Sequence, residues 1–323
     1  MIAREGSVQS ERSGPTMRTL SILLVCAGSL GCAPRGASMA DPPVHAARPT
    51  ATPDRTPAAA SASIPEPVAA SPNPEPVAAS PTPTIEHPGC FLLHDVQRGT
   101  VVRVHPEACA RATVPASTFK IPHSLIALQT GVVTDPNAEK PWDGRKYWLE
   151  TWQRPHSLAS AVRHSVLWFF QGTAKAIGRE RMRQQLSALD YGNAAVTGEL
   201  TTFWLDGGSL RITGDEQLDF LVRMFRRELP IERAHVDTVE RILRTDREML
   251  ARRLPPGATM PEIHATIHAK TGTDTGLTWW VGKVDGPRGE FVFVSRVEDD
   301  RPASSKSPAV AAGLQALAQA DVL

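Results

Sequence analysis

Half of the prolines in this 323-residue chain, 14 of 28, fall within residues 33–88, a stretch with no Phe, Trp or Tyr. Inside it the nonapeptide PEPVAASPN (65–73) is followed directly by PEPVAASPT (74–82). Such a segment has too little apolar surface to offset the entropy of ordering it. The folded core must therefore come from residues 89–323, and 33–88 reads as a disordered, partly polyproline tether whose use is reach. The organisation expected is 1–32, 33–88 and 89–323.

Residues 17–32, MRTLSILLVCAGSLGC, set Arg18 before a short apolar run and then small residues up to Cys32. That run is too short for a permanent bilayer span and has the three-part layout of a secretory signal. Ending on Gly31-Cys32, it resembles a lipoprotein signal, in which the cysteine is lipidated after cleavage, although Ser29 stands where that pattern usually has Leu. Simple cleavage and an uncleaved anchor are the alternatives. The expectation is an exported, periplasmic protein held to a membrane through Cys32, with Met17 a candidate start. A net charge of +1 gives no nucleic-acid footprint and no polybasic arm. Of the four cysteines, Cys26 lies in the signal, which leaves Cys90 and Cys109 in the folded part. In an exported chain the pair is free to form a disulfide; otherwise both are small buried hydrophobes.

The β-rich runs 90–95 and 100–105 flank Gln97-Arg98-Gly99 and predict a hairpin. A helix is predicted over 117–130, stopped by Gly131. Helical periodicity then dominates, with segments at 157–168, 173–188, 214–227 and 231–253; the charged run 241–253 reads as a solvated helix face. Strands return at 263–270, 278–284 and 290–297, and an Ala-rich helix closes the chain at 307–321. Strands at both ends with helices between them predict an α+β fold, an antiparallel sheet flanked by helices with an inserted helical lobe.

Two short motifs carry chemistry. Ser117-Thr118-Phe119-Lys120 opens the first long helix. Positions i and i+3 share a helix face, so the Ser117 hydroxyl and the Lys120 amine can meet. A serine needs an adjacent base to act as a nucleophile, and a neutral lysine can be one. Alone, the tetrapeptide reads more simply as a helix cap followed by a solvated lysine. Lys270-Thr271-Gly272, expected at the end of a strand, offers a cation, a hydroxyl and close backbone approach to a carboxylate-bearing ligand. In this order, on these elements, the two form the pattern of penicillin-binding serine acyl-transferases.

Ser165-Val166-Leu167, Tyr191-Gly192-Asn193, Phe203-Trp204-Leu205 and Trp279-Trp280-Val281-Gly282 complete a longer series. With them, residues 89–323 resemble the class D (oxacillinase-type) serine β-lactamases, which carry Ser-x-x-Lys, Ser-x-Val, Tyr-Gly-Asn, Phe-Trp-Leu, Lys-Thr-Gly and Trp-Trp-x-Gly in that order. The stretch PASTFKIPHSLIALQTGVV (115–133) is also similar to that family. The resemblance implies hydrolysis of small-molecule β-lactams through an acyl-serine. Ser117 is then the nucleophile. Lys120 is the general base, carbamylated by CO2, with no other cofactor and no metal. Trp204 donates its indole N–H to the carbamate, and Ser165 relays protons to the leaving nitrogen with Lys270. The backbone N–H groups of Ser117 and Thr273 form the oxyanion hole. Thr271, Gly272, Thr273, Leu167 and Leu205 are the implied substrate contacts, and the Tyr191 triplet, alone a turn, becomes a pocket-shaping loop.

The residues themselves support a dry pocket. Leu167 stands where related enzymes of other classes have Asn, and Trp168-Phe169-Phe170 follow. A lysine facing apolar side chains has its charged form disfavoured, and only a neutral amine attacks CO2. The family usually has Val in place of Leu167. It also commonly sets an Arg after the last strand to take the substrate carboxylate; here Arg301 and Lys306 are the candidates. The stretch before Lys270, which includes Leu254-Pro-Pro-Gly257, is longer than usual. His264 and His268 are four apart but lack the intervening Glu of a zinc motif. Two alternatives remain: a β-lactam sensor that is acylated but turns over poorly, and a cell-wall transpeptidase, against which the missing Asn argues.

Overall fold

The sheet-forming runs alternate apolar residues that point to opposite sides, and this alternation generates two cores. The computed structural model describes residues 84–302 and 304–323; residues 1–83, with the signal-like segment, Cys32 and the repeats, lie outside the described residues. A six-stranded antiparallel sheet has the order β2-β1-β6-β5-β4-β3. It comprises β1 (Cys90–Asp95), β2 (Val101–Val104), β3 (Arg244–Thr245), β4 (Thr266–Asp274), β5 (Leu277–Gly286) and β6 (Gly289–Glu298). The first strand pairs with the last, Leu92 opposite Val294, so the two ends of the domain meet in mid-sheet.

Leu92, Trp279, Val281, Val292 and Val294 face one core, while Phe91, Leu93, Trp280, Val284 and Phe293 face the other. Successive side chains in a strand point to opposite faces. The consecutive tryptophans of β5 therefore fill different cores, and each contributes about 3 kcal/mol by burial. Helix α9 (Pro308–Gln319) covers the second face. It lies so close that a Cβ on Gly313 would stand 2.6 Å from the Trp280 ring.

The first face carries the helical lobe. A 3-10 turn (Ala116–Phe119) leads into α2 (Lys120–Gln129), followed by α3 (Leu158–Arg163), α4 (Leu167–Ile177), α5 (Arg179–Ala188), α6 (Gly214–Phe225) and α7 (Arg233–Ile242). The short α1 (Pro106–Cys109) follows the first hairpin, and α8 (Arg247–Arg253) follows β3. Three predicted helices are broken. The segment 157–168 stops after Arg163, with Ser165 in the left-handed region at φ 57°, and restarts at Leu167. The segment 173–188 breaks at Gly178, φ 81°. The segment 231–253 splits into α7, β3 and α8, because Arg244 and Thr245 pair with β4 and the Asp246 carboxylate caps α8 by accepting from Met249 N–H at 2.8 Å. The charged run 241–253 is thus not one solvated helix face. The predicted strand 263–270 runs over Thr266–Asp274 instead, so Lys270-Thr271-Gly272 lies inside a strand rather than at its end.

Packing begins before Gly89. His87 is buried, stacks on Phe91 and hydrogen-bonds Ser295 Oγ at 2.9 Å, and Ile85 packs against the second core. The last residues of the segment read as tether therefore belong to the domain. Cys90 and Cys109 are joined by a disulfide that ties β1 to α1. A Cβ on Gly214 would lie 2.7 Å from Cys90 Sγ, so α6 starts on a glycine there. Among the described residues no helix is long and apolar enough to cross a membrane.

Candidate active site

The site grows from the turn before α2. Thr113 and Ile212 exchange backbone hydrogen bonds, and the Trp279 indole N–H donates to Val114 O at 3.1 Å. Ala116 N–H donates to Trp204 O at 3.1 Å. These bonds clamp the turn between β5 and the 192–213 loop. Ala116 takes φ 49°, a conformation that costs an alanine about 1 kcal/mol and persists only where its surroundings hold it. Gly272 lies against the same turn: a Cβ there would stand 3.0 Å from both Pro115 O and Thr118 Cγ2. Its missing Cβ makes room for the serine turn, a packing reason for glycine at this position.

Ser117 and Lys120 meet as their spacing requires, with Lys120 Nζ donating to Ser117 Oγ at 2.8 Å. Lys120 is 1% exposed. Its ammonium lies 5.3 Å from the centroid of the Phe170 ring. Burial alone pushes its pKa down to about 7. Lys270 reaches across from β4, and Nζ donates to Ser165 Oγ at 3.1 Å and to Thr271 O at 2.8 Å. Burial first, then the charges of Lys120 and Arg253, holds it well below the ordinary lysine range. His123, one turn beyond Lys120, is buried with its ring edge-on to Phe170 and Trp204. Burial and then Lys120 bring it down to about 3, so it is a neutral wall of the pocket.

Trp204 is fully buried, stacks on Phe119 at 5.3 Å, and its indole nitrogen has no hydrogen-bond partner among the described residues. An unmatched buried N–H costs about 1–3 kcal/mol and asks for an acceptor. The Tyr191 triplet is placed behind the pocket. Tyr191 donates to Gln217 Oε1 at 2.9 Å in the core, and Asn193 Oδ1 accepts from Arg211 N–H at 3.0 Å. The triplet thus closes the base of the loop that carries Phe203-Trp204-Leu205.

Ser117, Lys120, Ser165, Leu167 and Leu205 line one cleft of about 430 Å³, and Thr271 and Thr273 form its sheet-side wall. Ala269 N–H donates to Leu243 O at 2.9 Å at the sheet edge. By the two-residue alternation of a strand, the Thr271 and Thr273 N–H groups point the same way. Trp204 and Gly272 stand behind this surface. Neither Arg301 nor Lys306 reaches it: both line a neighbouring cavity with Pro255 and Pro256. Arg301 Nε donates to Asp299 Oδ2 at 3.0 Å, and Lys306 Nζ to Arg252 O at 3.1 Å.

Several cleft residues escape the motif reading. Among them Trp148 is 68% exposed, Trp152 is buried beside it, and Arg253 enters from α8. The tryptophan density of 148–152 and the long stretch before Lys270 were the available signals. His264 and His268 have separate surroundings: His264 is exposed beside Glu262, and His268 bonds Glu240 O at 2.9 Å. His268 does converge with Glu240 and Asp285, but Lys283 Nζ already lies 2.8 Å from Glu240 and 3.0 Å from Asp285. An ammonium there neutralises the carboxylates a metal would need.

The penicillin-binding protein transpeptidase domain profile matches residues 89–316. The chain is 36% identical over 214 residues to a probable β-lactamase, YbxI, of Bacillus subtilis (strain 168), a match covering 65% of this chain and 74% of that protein. It is 39% identical over 179 residues to β-lactamase OXA-48 of Klebsiella pneumoniae, covering 54% of this chain and 62% of that one. A crystal structure of a class D β-lactamase from Bacillus subtilis superimposes with a TM-score of 0.64 at 33% identity, over 74% of this chain and 93% of that one. A class D YbXI structure from Nostoc gives 0.64 at 29% identity, over 73% and 94%.

A lysine whose folded pKa is depressed destabilises the fold wherever the unfolded chain holds its proton more tightly. For Lys120 that penalty is complete at and below about pH 7 and fades as pH rises toward 10.5. Lys120→Met should therefore be more stable than the parent by about 2–4 kcal/mol at pH 7, an order-of-magnitude figure from the shift. The gain should shrink as urea denaturation is repeated toward pH 10.5. A less stable Lys120→Met protein at neutral pH would contradict this account of the pocket.

Proposed function

The chain belongs to the class D β-lactamases, within the penicillin-binding transpeptidase family, and from that premise we propose that it opens β-lactam rings through an acyl-serine on Ser117. Its activity is that of a β-lactamase hydrolase, and resistance to β-lactam antibiotics is the proposed consequence. The single observation that carries the mechanism is the 2.8 Å contact between Ser117 Oγ and a Lys120 amine whose pKa burial has brought to about 7.

In the neutral state this contact lets Lys120 Nζ accept the Ser117 proton as Oγ bonds the lactam carbonyl carbon. The N–H groups of Ser117 and Thr273 receive the developing oxyanion, the latter supported by the direction its N–H shares with that of Ala269. As the C–N bond breaks, the leaving nitrogen needs a proton. Ser165 is the donor, resupplied from Lys270 at 3.1 Å. Water then adds to the acyl carbon, its proton passes to the departing Ser117 Oγ, and the proton Lys120 took in the first step returns to Lys270, restoring both amines. Thr271, Leu167 and Leu205 bound the substrate from the cleft walls.

The residues fit a CO2-derived carboxylate on Lys120. The amine is neutral in part near pH 7, the walls are apolar, and Trp204 Nε1 is a buried donor with no partner among the described residues. A carbamate there supplies an anionic base suited to activating water. Among this chain's own groups, Trp204 would hold it, while Phe119 and Phe170 exclude solvent.

For location, we propose export and lipidation at Cys32. The reading is supported by the signal-like 17–32 segment and by the Cys90–Cys109 disulfide, which belongs to an oxidising compartment. Labelled palmitate should enter the parent and not Cys32→Ser; incorporation that survives the substitution rules out this anchor.

With a chromogenic cephalosporin, steady hydrolysis should vanish in Ser117→Ala. A stoichiometric burst followed by silence in the parent would favour the acylated sensor instead. In bicarbonate-free buffer, activity should fall as pH drops below about 7, where Lys120 gains its proton, and bicarbonate should restore it. Full activity in Lys120→Ala would end the mechanism.

A further inference from the structure

The cleft lacks the cation its substrates call for at either place the motif pattern indicates. A β-lactam of the penicillin type carries a carboxylate beside the ring, and that charge needs a counter-charge at the sheet-side wall. Arg301 is held by Asp299, Lys306 is turned onto Arg252 O, and both belong to the adjacent cavity. Arg253 lines the cleft itself, together with Ser117, Thr271 and Thr273. We propose that Arg253, delivered by α8, binds the substrate carboxylate in place of an arginine after the last strand. The inference rests on the β-lactamase reading of this cleft.

Local structure explains why this arginine turns inward. Leu250 is buried, and Arg253 stands three positions on, on the same face of α8. Arg252 lies off that face, exposed and paired with Glu248. The end of α8 is docked on the segment where the missing arginine would be sought: Ser307 N–H donates to Arg253 O at 2.7 Å, and Arg253 Nη1 to Ser305 O at 3.4 Å. The long stretch before Lys270 thus carries a guanidinium to the same wall from the opposite direction along the chain.

The electrostatics favour an anion there. Arg253 is partly buried, and no salt bridge joins it to any carboxylate among the described residues. Of the two aspartates that also line the cleft, Asp274 accepts from the Asp206 and Thr275 N–H groups at 2.9 Å each and Asp206 from the Gly207 N–H at 2.9 Å. Arg253 lies close enough to Lys270 for its charge to help lower that amine's pKa, and a bound carboxylate would offset the guanidinium charge. A guanidinium offers two parallel donors to a carboxylate, which a lysine cannot.

The test compares a penicillin with its methyl ester, which lacks the charge, on the full chain. The parent should hydrolyse the acid with a lower KM than the ester. Arg253→Ala should raise KM for the acid about 10- to 100-fold with a smaller change in kcat, the size expected for a lost charge-assisted pair, and leave the ester unchanged. Arg253→Lys should recover part of the loss, while Arg301→Ala and Lys306→Ala should match the parent. Equal losses on acid and ester would mark Arg253 as structural and overturn the proposal, as would an acid-specific loss in Arg301→Ala or Lys306→Ala. If Arg253→Ala fails to fold by circular dichroism, Arg253→Lys and the parent's own acid–ester ratio decide. A parent that hydrolyses both equally overturns this inference alone; a parent that is neither acylated nor active overturns the reading beneath it.

Discussion

A lysine amine sealed among aromatic rings, with no counter-ion among the described residues, is the constraint around which this domain is organised. Lys120 has Phe170 beneath its ammonium, and Phe119, His123 and Trp204 pack against one another around the same helix turn. Water would solvate the charged form; these rings do not, and the amine becomes a base near neutral pH. The same desolvation weakens the fold, so the pocket must be held shut by something stronger. Two cores, one on each face of the sheet, supply that stability.

Holding the pocket shut is done by close backbone approaches at a few points. The serine turn hangs from Trp279 on one side and from the Trp204 peptide on the other. Gly272 lets β4 come within reach of that turn, and the same strand face then carries Lys270 to Ser165. Ala116, just before Ser117, and Ser165, beside Lys270, are both left-handed. Non-glycine residues in that conformation store strain, and of the seven among the described residues these two lie in the cleft region.

How far this was legible in the sequence depends on what carries each feature. The sheet and the terminal helix follow from alternating and helical apolar patterns, and Ser117, Lys120, Ser165 and Lys270 were found because short-range spacing and motif order locate them. The breaks at Ser165 and Gly178 were missed because apolar spacing continues through them: both flanking helices bury toward one core, so periodicity carries no interruption. Gly272 reads as a ligand approach in sequence, since nothing local reveals that the serine turn lies against it. Arg253 was absorbed into a charged amphipathic run. Only the pairing of β3 with β4 and the Asp246 cap give α8 its own orientation and turn one arginine of that run inward. These are long-range facts, and one sequence does not hold them.

The chemistry of the cleft rests on one nitrogen, and following its protonation tests it without any substrate. With 13Cε-lysine labelling in CO2-free buffer, the resonance absent from Lys120→Met belongs to Lys120, and its chemical shift can be followed with pH. A buried Lys120 should titrate with a midpoint near 7, far below that of an ordinary lysine. A midpoint near 10.5, the ordinary lysine value, would show a solvated ammonium and leave Ser117 without its base.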